Sequence, residues 1–125
     1  MILALLLAGS ELPWNCADPQ AQQEMNWCAA KEFEAADAEL NAQWKLTAAA
    51  MKERDGDIDR TYDKRSGYFE TLLAAQRAWL SYRGQHCASE GYLFRGGSME
   101  ALLVGTCKTK LTRERTQQLR FLIEQ

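Results

Sequence analysis

Four cysteines, Cys16, Cys28, Cys87 and Cys107, do most to limit what this chain of 125 residues can become, because they follow an N-terminal apolar run, Ile2 to Ala8. An even cysteine count behind an export-like N-terminus points to two disulfides in a small exported domain, since cytosolic thiols are kept reduced. The alternatives are buried free thiols or a zinc site. Zinc asks for ligands at close spacing, such as C-x2-C, and the intervals here are long. The one histidine, His86, is adjacent to Cys87, where each side chain obstructs the other in a tetrahedral site. No metal site is expected.

Residues 1–10 read as the remnant of a signal peptide. The apolar stretch is at the short limit of an h-region, no Lys or Arg precedes it, and Ala8 and Ser10 supply the small residues of a cleavage site. The run is far shorter than the about 20 residues that span a bilayer, so no membrane insertion is expected. Leu7-Ala8-Gly9-Ser10 also resembles a lipobox in which Ser10 replaces the acylated cysteine. The expected location is the bacterial periplasm or beyond, with residues 11–125 forming a single domain.

The net charge of −2 implies no strong attraction to any partner, but it is unevenly spread. Residues 1–63 hold 12 acids and 5 bases, while residues 64–125 hold 5 acids and 10 bases. An acidic segment packed on a basic one accounts for this. A nucleic-acid surface would pair its basic residues with an aromatic motif, and none is present.

The periodicity is helical throughout. Met25, Ala29, Phe33, Ala36, Leu40, Trp44, Thr47 and Met51 form the stripe of a long amphipathic helix over residues 20–54. Asp55-Gly56-Asp57 breaks it, and Asp59 or Thr61 is the expected cap of a second helix. Its stripe is Tyr62, Ser66, Phe69, Leu73, Gln76, Leu80, Arg83 and Cys87. The two are expected to pack as an antiparallel hairpin at a shallow angle. Gly91 to Ser98 reads as a loop with exposed aromatics. One or two shorter helices then follow, the first capped by Ser98 and weakened by Gly105, the second capped by Thr112. The fold class is all-α, stapled by disulfides.

Catalytic chemistry is thin. Asp55, Asp57 and Asp59 imitate the start of a calcium loop, but Arg60 stands where glycine is required and Ser66 where a bidentate glutamate is required. His86, one residue before a disulfide cysteine, is poorly placed as a free base. Gly96-Gly97 lacks the strand and the Lys-Ser/Thr of a phosphate loop. No enzyme and no cofactor are expected. Polar residues on the helix seams stand out more. Asp37 and Asn41 flank the first stripe, Gln76 and Arg83 lie on the second with Arg77 beside it, and Arg115 lies near the last. A half-buried arginine demands a carboxylate or several carbonyls, so Asp37 with Arg77 or Arg83 is expected to form a structural polar seam.

Glu24-Met25-Asn26-Trp27-Cys28-Ala29 and Ala36-Asp37-Ala38-Glu39-Leu40-Asn41 resemble the opening of the LprI-like family, named for a mycobacterial lysozyme inhibitor. Gln76-Arg77-Ala78-Trp79-Leu80 with Tyr82-Arg83 and Cys87 is similar to its second helix. Gly96-Gly97-Ser98, Cys107, Leu111-Thr112, Arg115-Thr116 and Leu119 are similar to its closing section. The resemblance covers Cys16 to about Leu122, and it departs at Arg83-Gly84-Gln85, where an acidic residue is expected after the arginine. It implies an exported, disulfide-bonded helical domain without a cofactor, and it points to lysozyme inhibition.

Four cysteines allow three connectivities. Cys16–Cys28 with Cys87–Cys107 is favoured, the first stapling the N-terminus onto helix one and the second closing the aromatic loop. Pairing of Cys87 with Cys16 or Cys28 stays open, since a hairpin brings Cys87 near the start of helix one. Two functional readings follow. In the first, the protein inhibits a c-type lysozyme by occluding its cleft with the loop, using Tyr92, Phe94, Arg95 and Ser98. In the second, it is an envelope binding or assembly module that docks another exported protein or a cell-wall fragment. A long exposed apolar strip on a helix favours the module, and a prominent ordered loop favours the inhibitor.

Overall fold

The proline-free sequence after Pro19 forms one unbroken helix, α1 (Gln22–Asp55), in the computed structural model, which describes residues 14–124. The expected signal remnant, residues 1–10, lies outside the described residues. At about 1.5 Å per residue α1 is about 50 Å long. Ala21 offers no side-chain cap. Instead Glu24, in the first turn, accepts hydrogen bonds from the Asn15 N–H at 3.0 Å and the Gln20 N–H at 3.5 Å. The same acid favours the positive end of the helix dipole.

The second helix, α2 (Tyr68–Gly91), begins later than Asp59 or Thr61. Asp59 caps a local turn instead, taking the Thr61 N–H at 2.9 Å. The carboxylate of Asp55, the last residue of α1, receives the N–H groups of Tyr68 and Phe69 and so caps α2 from across the connection. Gly67, at the N-cap position, lets that carboxylate approach; a Cβ there would lie 2.7 Å from Asp55 Oδ1. No sequence-local capping rule anticipates a cap supplied by the preceding helix.

A 3₁₀ turn, Tyr92–Phe94, follows α2, and a single helix, α3 (Glu100–Phe121), closes the chain. Ser98 and Thr112 are not caps. Met99 holds the N-cap position, and Thr112 is fully buried in mid-helix. Gly105 does not interrupt α3, and it lies against Ala29 of α1. The described residues form no strand.

Trp44 meets Phe69 and Asp37 meets Arg83, so α1 and α2 run antiparallel. Glu32 meets Arg113 and Arg54 meets Leu122, so α3 runs parallel to α1. The expected hairpin is therefore completed by a third helix, which packs on α1 more extensively than α2 does. The expected stripe of α2 is inward in part. Leu72, Gln76 and Cys87 are buried, whereas Leu80 and Tyr62 are exposed. Phe69, Leu73 and Arg83 of the expected stripe are half-buried as well, and Leu72 and Trp79 widen it, as suits a helix lying in the groove between two others.

Leu40, Met51, Leu72 and Leu119 form the apolar core, with Trp44, Phe69, Trp79, Leu122 and Ile123 packed against it. Buried polar groups beside it are mostly satisfied. Thr47 donates to the Leu119 carbonyl at 2.9 Å and accepts from Gln43 at 3.1 Å, and Thr116 donates to the Thr112 carbonyl at 3.0 Å. The disulfides are Cys16–Cys28 and Cys87–Cys107. The first holds the N-terminal segment on the opening turns of α1, where Trp14 packs edge-on against Trp27 at 5.5 Å. The second joins the end of α2 to α3. Among the described residues no helix is long and apolar enough to cross a membrane.

Candidate functional site

The Cys87–Cys107 disulfide closes a segment that would otherwise hang from two helix ends. Just past Cys87, Gly91 is buried against Val104 of α3, so the chain leaves α2 in contact with its neighbour. The 3₁₀ turn is tightened by the Arg95 N–H bonding to the Tyr92 carbonyl at 3.2 Å and the Gly97 N–H bonding to the Phe94 carbonyl at 2.8 Å. Gly96 adopts a φ of +79°, a left-handed conformation that suits glycine. Its N–H donates to Glu100 Oε1 at 2.9 Å, tying the loop to the first turn of α3. The loop is thus braced at both ends and in the middle.

What this brace presents is apolar. Tyr92, Leu93 and Phe94 are 51%, 77% and 52% exposed in succession. The Arg95 guanidinium stacks over the Tyr92 ring at 4.4 Å, which holds a cation beside the aromatic surface. Ser98 is exposed on the same loop. Tyr92, Phe94, Arg95 and Ser98 therefore share one short segment. Leu93, the most exposed of the apolar three, and Glu100, which anchors Gly96, were missed from the sequence. The i, i+4 spacing of Gly96 and Glu100 is the signal that was available for the anchor.

The polar seam is centred on Arg83. Its side chain is 15% exposed and lies between the rings of Phe33 and Trp79, 5.1 and 5.0 Å from their centroids. It donates to Thr112 Oγ1 at 3.0 Å and lies 3.4 Å from the Asp37 carboxylate. Arg77, expected beside it, is exposed instead. Arg83 lies on the expected stripe, and Arg77, about 120° from it around the helix, is on the solvent side. Arg115 of α3 occupies the other seam position, donating to Gln76 Oε1 at 2.8 Å.

Among the described residues, the remaining reactive side chains do not assemble a catalytic or metal centre. His86 Nε2 lies 2.7 Å from Glu90, and Glu90 approaches the Cys107 sulfur, but that sulfur is in a disulfide and has no thiolate to offer. In the α1–α2 connection, Asp55 is committed to capping α2. Asp63 is chelated by Arg65 at 2.9 and 2.8 Å, which holds its carboxyl well below the usual carboxylate range.

Comparison with known proteins places these features in context. The profile of the family described as lysozyme inhibitor LprI matches residues 15–119. An uncharacterized protein of Rhizobium meliloti (strain 1021) is 45% identical over 113 residues, covering 88% of this chain and 79% of that protein. The crystal structure of a DUF1311 family protein from Pseudomonas putida KT2440 aligns over 89% of this chain and 99% of its own. The TM-score is 0.68 at 23% identity, which shows a common fold.

Proposed function

This chain belongs to the lysozyme inhibitor LprI family, and from that premise we propose that it inhibits a c-type lysozyme by seating the loop 92–98 in the enzyme's active-site cleft. The observation that carries the reading is the run of three exposed apolar residues on a loop braced by a disulfide, a glycine turn and Glu100. An inhibitor does no chemistry; it fills a cleft and excludes substrate. Aromatic and arginine side chains dominate such contacts, and a loop held rigid before binding loses little entropy on docking. Tyr92 and Phe94 are the anchors of this reading. Arg95, held over Tyr92, is the group suited to one of the two carboxylates that a glycosidase uses. The protein is on this reading a non-enzymatic domain over residues 11–125, exported to the periplasm or beyond, where its disulfides persist.

The other large exposed apolar residues support the loop over a helix-docking module. Leu46 on α1, Tyr68, Leu80 and Tyr82 on α2, Phe121 on α3 and Tyr62 in the connection stand apart in the sequence, whereas Tyr92, Leu93 and Phe94 are consecutive. The test is a titration of a c-type lysozyme with the oxidised protein, following cell-wall hydrolysis, beside the Phe94→Ala variant. Stoichiometric inhibition by the wild type, weakened about 30-fold in the variant by loss of about 2 kcal/mol, is the expected result. Full lysozyme activity under a large molar excess of wild-type protein rejects the reading.

A further inference from the structure

At the end of the bundle away from the braced loop, a cleft of about 830 Å³ opens between the connection 56–67, the start of α2 and the ends of α1 and α3. Its apolar lining comes from Met51, Ile58, Leu72, Ala75 and Leu122, and Arg54, Arg65 and Arg115 stand among them. The size falls within the range of small-molecule sites, which are mostly apolar with a few polar groups that fix orientation.

The arginines are not equivalent. Arg65 is neutralised by Asp63 through two hydrogen bonds. Arg115 is half-buried, and its partners are neutral amides, Gln76 at 2.8 Å and Gln118 at 3.1 Å. Burial pulls its guanidinium below its ordinary value. Arg54 donates to the Leu122 carbonyl at 3.1 Å. Among the described residues neither Arg54 nor Arg115 forms an ion pair with a carboxylate. A guanidinium carries five N–H donors, so both keep donors to offer. A half-buried cation without an anion is an expensive arrangement, and an incoming carboxylate relieves it with a charge-assisted, bidentate geometry. Among the described residues Asp63 is the one acid lining the cleft, and it is already committed to Arg65.

We propose that this cleft is a binding site for a small amphiphilic carboxylate, its head group on Arg115 and Arg54 and its aliphatic body over Met51, Leu72 and Leu122. The site is separate from the loop 92–98 and independent of the lysozyme reading. A neutral amphiphile of the same chain length lacks the head-group contact, and acetate lacks the body, so both bind more weakly than the intact ligand.

The test is titration of the oxidised full chain with dodecanoate below its micellar concentration. Isothermal calorimetry and the methyl resonances of Met51, Leu72 and Leu122 provide the readout, with dodecanol and acetate as separate arms. Saturable one-to-one binding is expected, weakened about tenfold or more in Arg115→Met, a change of about 1.4 kcal/mol. The Ala75→Phe variant, which fills the cleft from an exposed helix position and leaves every arginine in place, is expected to lose binding while keeping the helical fold. Non-saturable binding, equal affinity for dodecanol, or dodecanoate binding unchanged in Ala75→Phe overturns the proposal.

Discussion

At one end of the bundle Met51, Leu72 and Leu119 bury large side chains under Trp44 and Phe69, and no disulfide is present among the described residues. At the other end the inward residues are small, among them Ala29, Gly91, Cys87 and Cys107, and both disulfides lie there. The first end is held by area removed from water, worth about 25 cal/mol per Å². The second buries smaller side chains completely and adds cross-links that restrict the unfolded chain. The difference has a functional side. Where a disulfide holds the chain, Tyr92, Leu93 and Phe94 need not be spent on the core and can face solvent. At the packed end Met51, Leu72 and Leu119 are buried in the core, while Tyr62, Tyr68 and Phe121 face solvent there.

The largest expected effect tests the packed end. Leu119 is fully buried beneath both neighbouring helices, so Leu119→Ala is expected to destabilise the protein by about 2–5 kcal/mol in denaturant melts. On the proposed inhibitor reading, lysozyme inhibition measured below the new transition should remain, because the loop is braced elsewhere. A lost inhibition with a folded far-ultraviolet spectrum would join the two ends into one cooperative unit.

Replacing both Cys87 and Cys107 by serine tests the cross-linked end. Opening a loop closed over 20 residues is expected to cost about 3 kcal/mol. Here the loss of inhibition should exceed what the melt predicts, since the loop 92–98 loses its frame while the apolar core persists. Equal inhibition by the serine variant at a temperature where it is fully folded would show that Gly96 and Glu100 suffice to hold the loop.

Asp55→Ala is the smallest perturbation and the most local. Removing the carboxylate that caps α2 should lower stability by about 1 kcal/mol and raise amide exchange at Tyr68 and Phe69. Protection at Tyr92 to Gly97 should not change. Exchange that rises at both ends would erase the distinction between them.

Cysteine count, the long α1 stripe and the helical period across the whole chain were legible because they are local or statistical properties of the sequence. The exposure of Tyr92, Phe94, Arg95 and Ser98 on one loop was legible for a similar reason, as aromatic and polar residues beside a glycine pair. Less legible was anything set by a third body. Tertiary structure alone decided that α2 begins at Tyr68, since its cap comes from Asp55 on another helix. It decided that Leu72 is buried and Leu80 exposed, since α2 lies in the groove between α1 and α3 and not against α1 alone. It also kept α3 continuous through Gly105 and Thr112, because packing against α1 and the Cys87–Cys107 link outweigh the about 1 kcal/mol by which a mid-helix glycine disfavours a helix. Sequence period tells a helix that it has an apolar face; only the number and placement of its neighbours tell it where that face points.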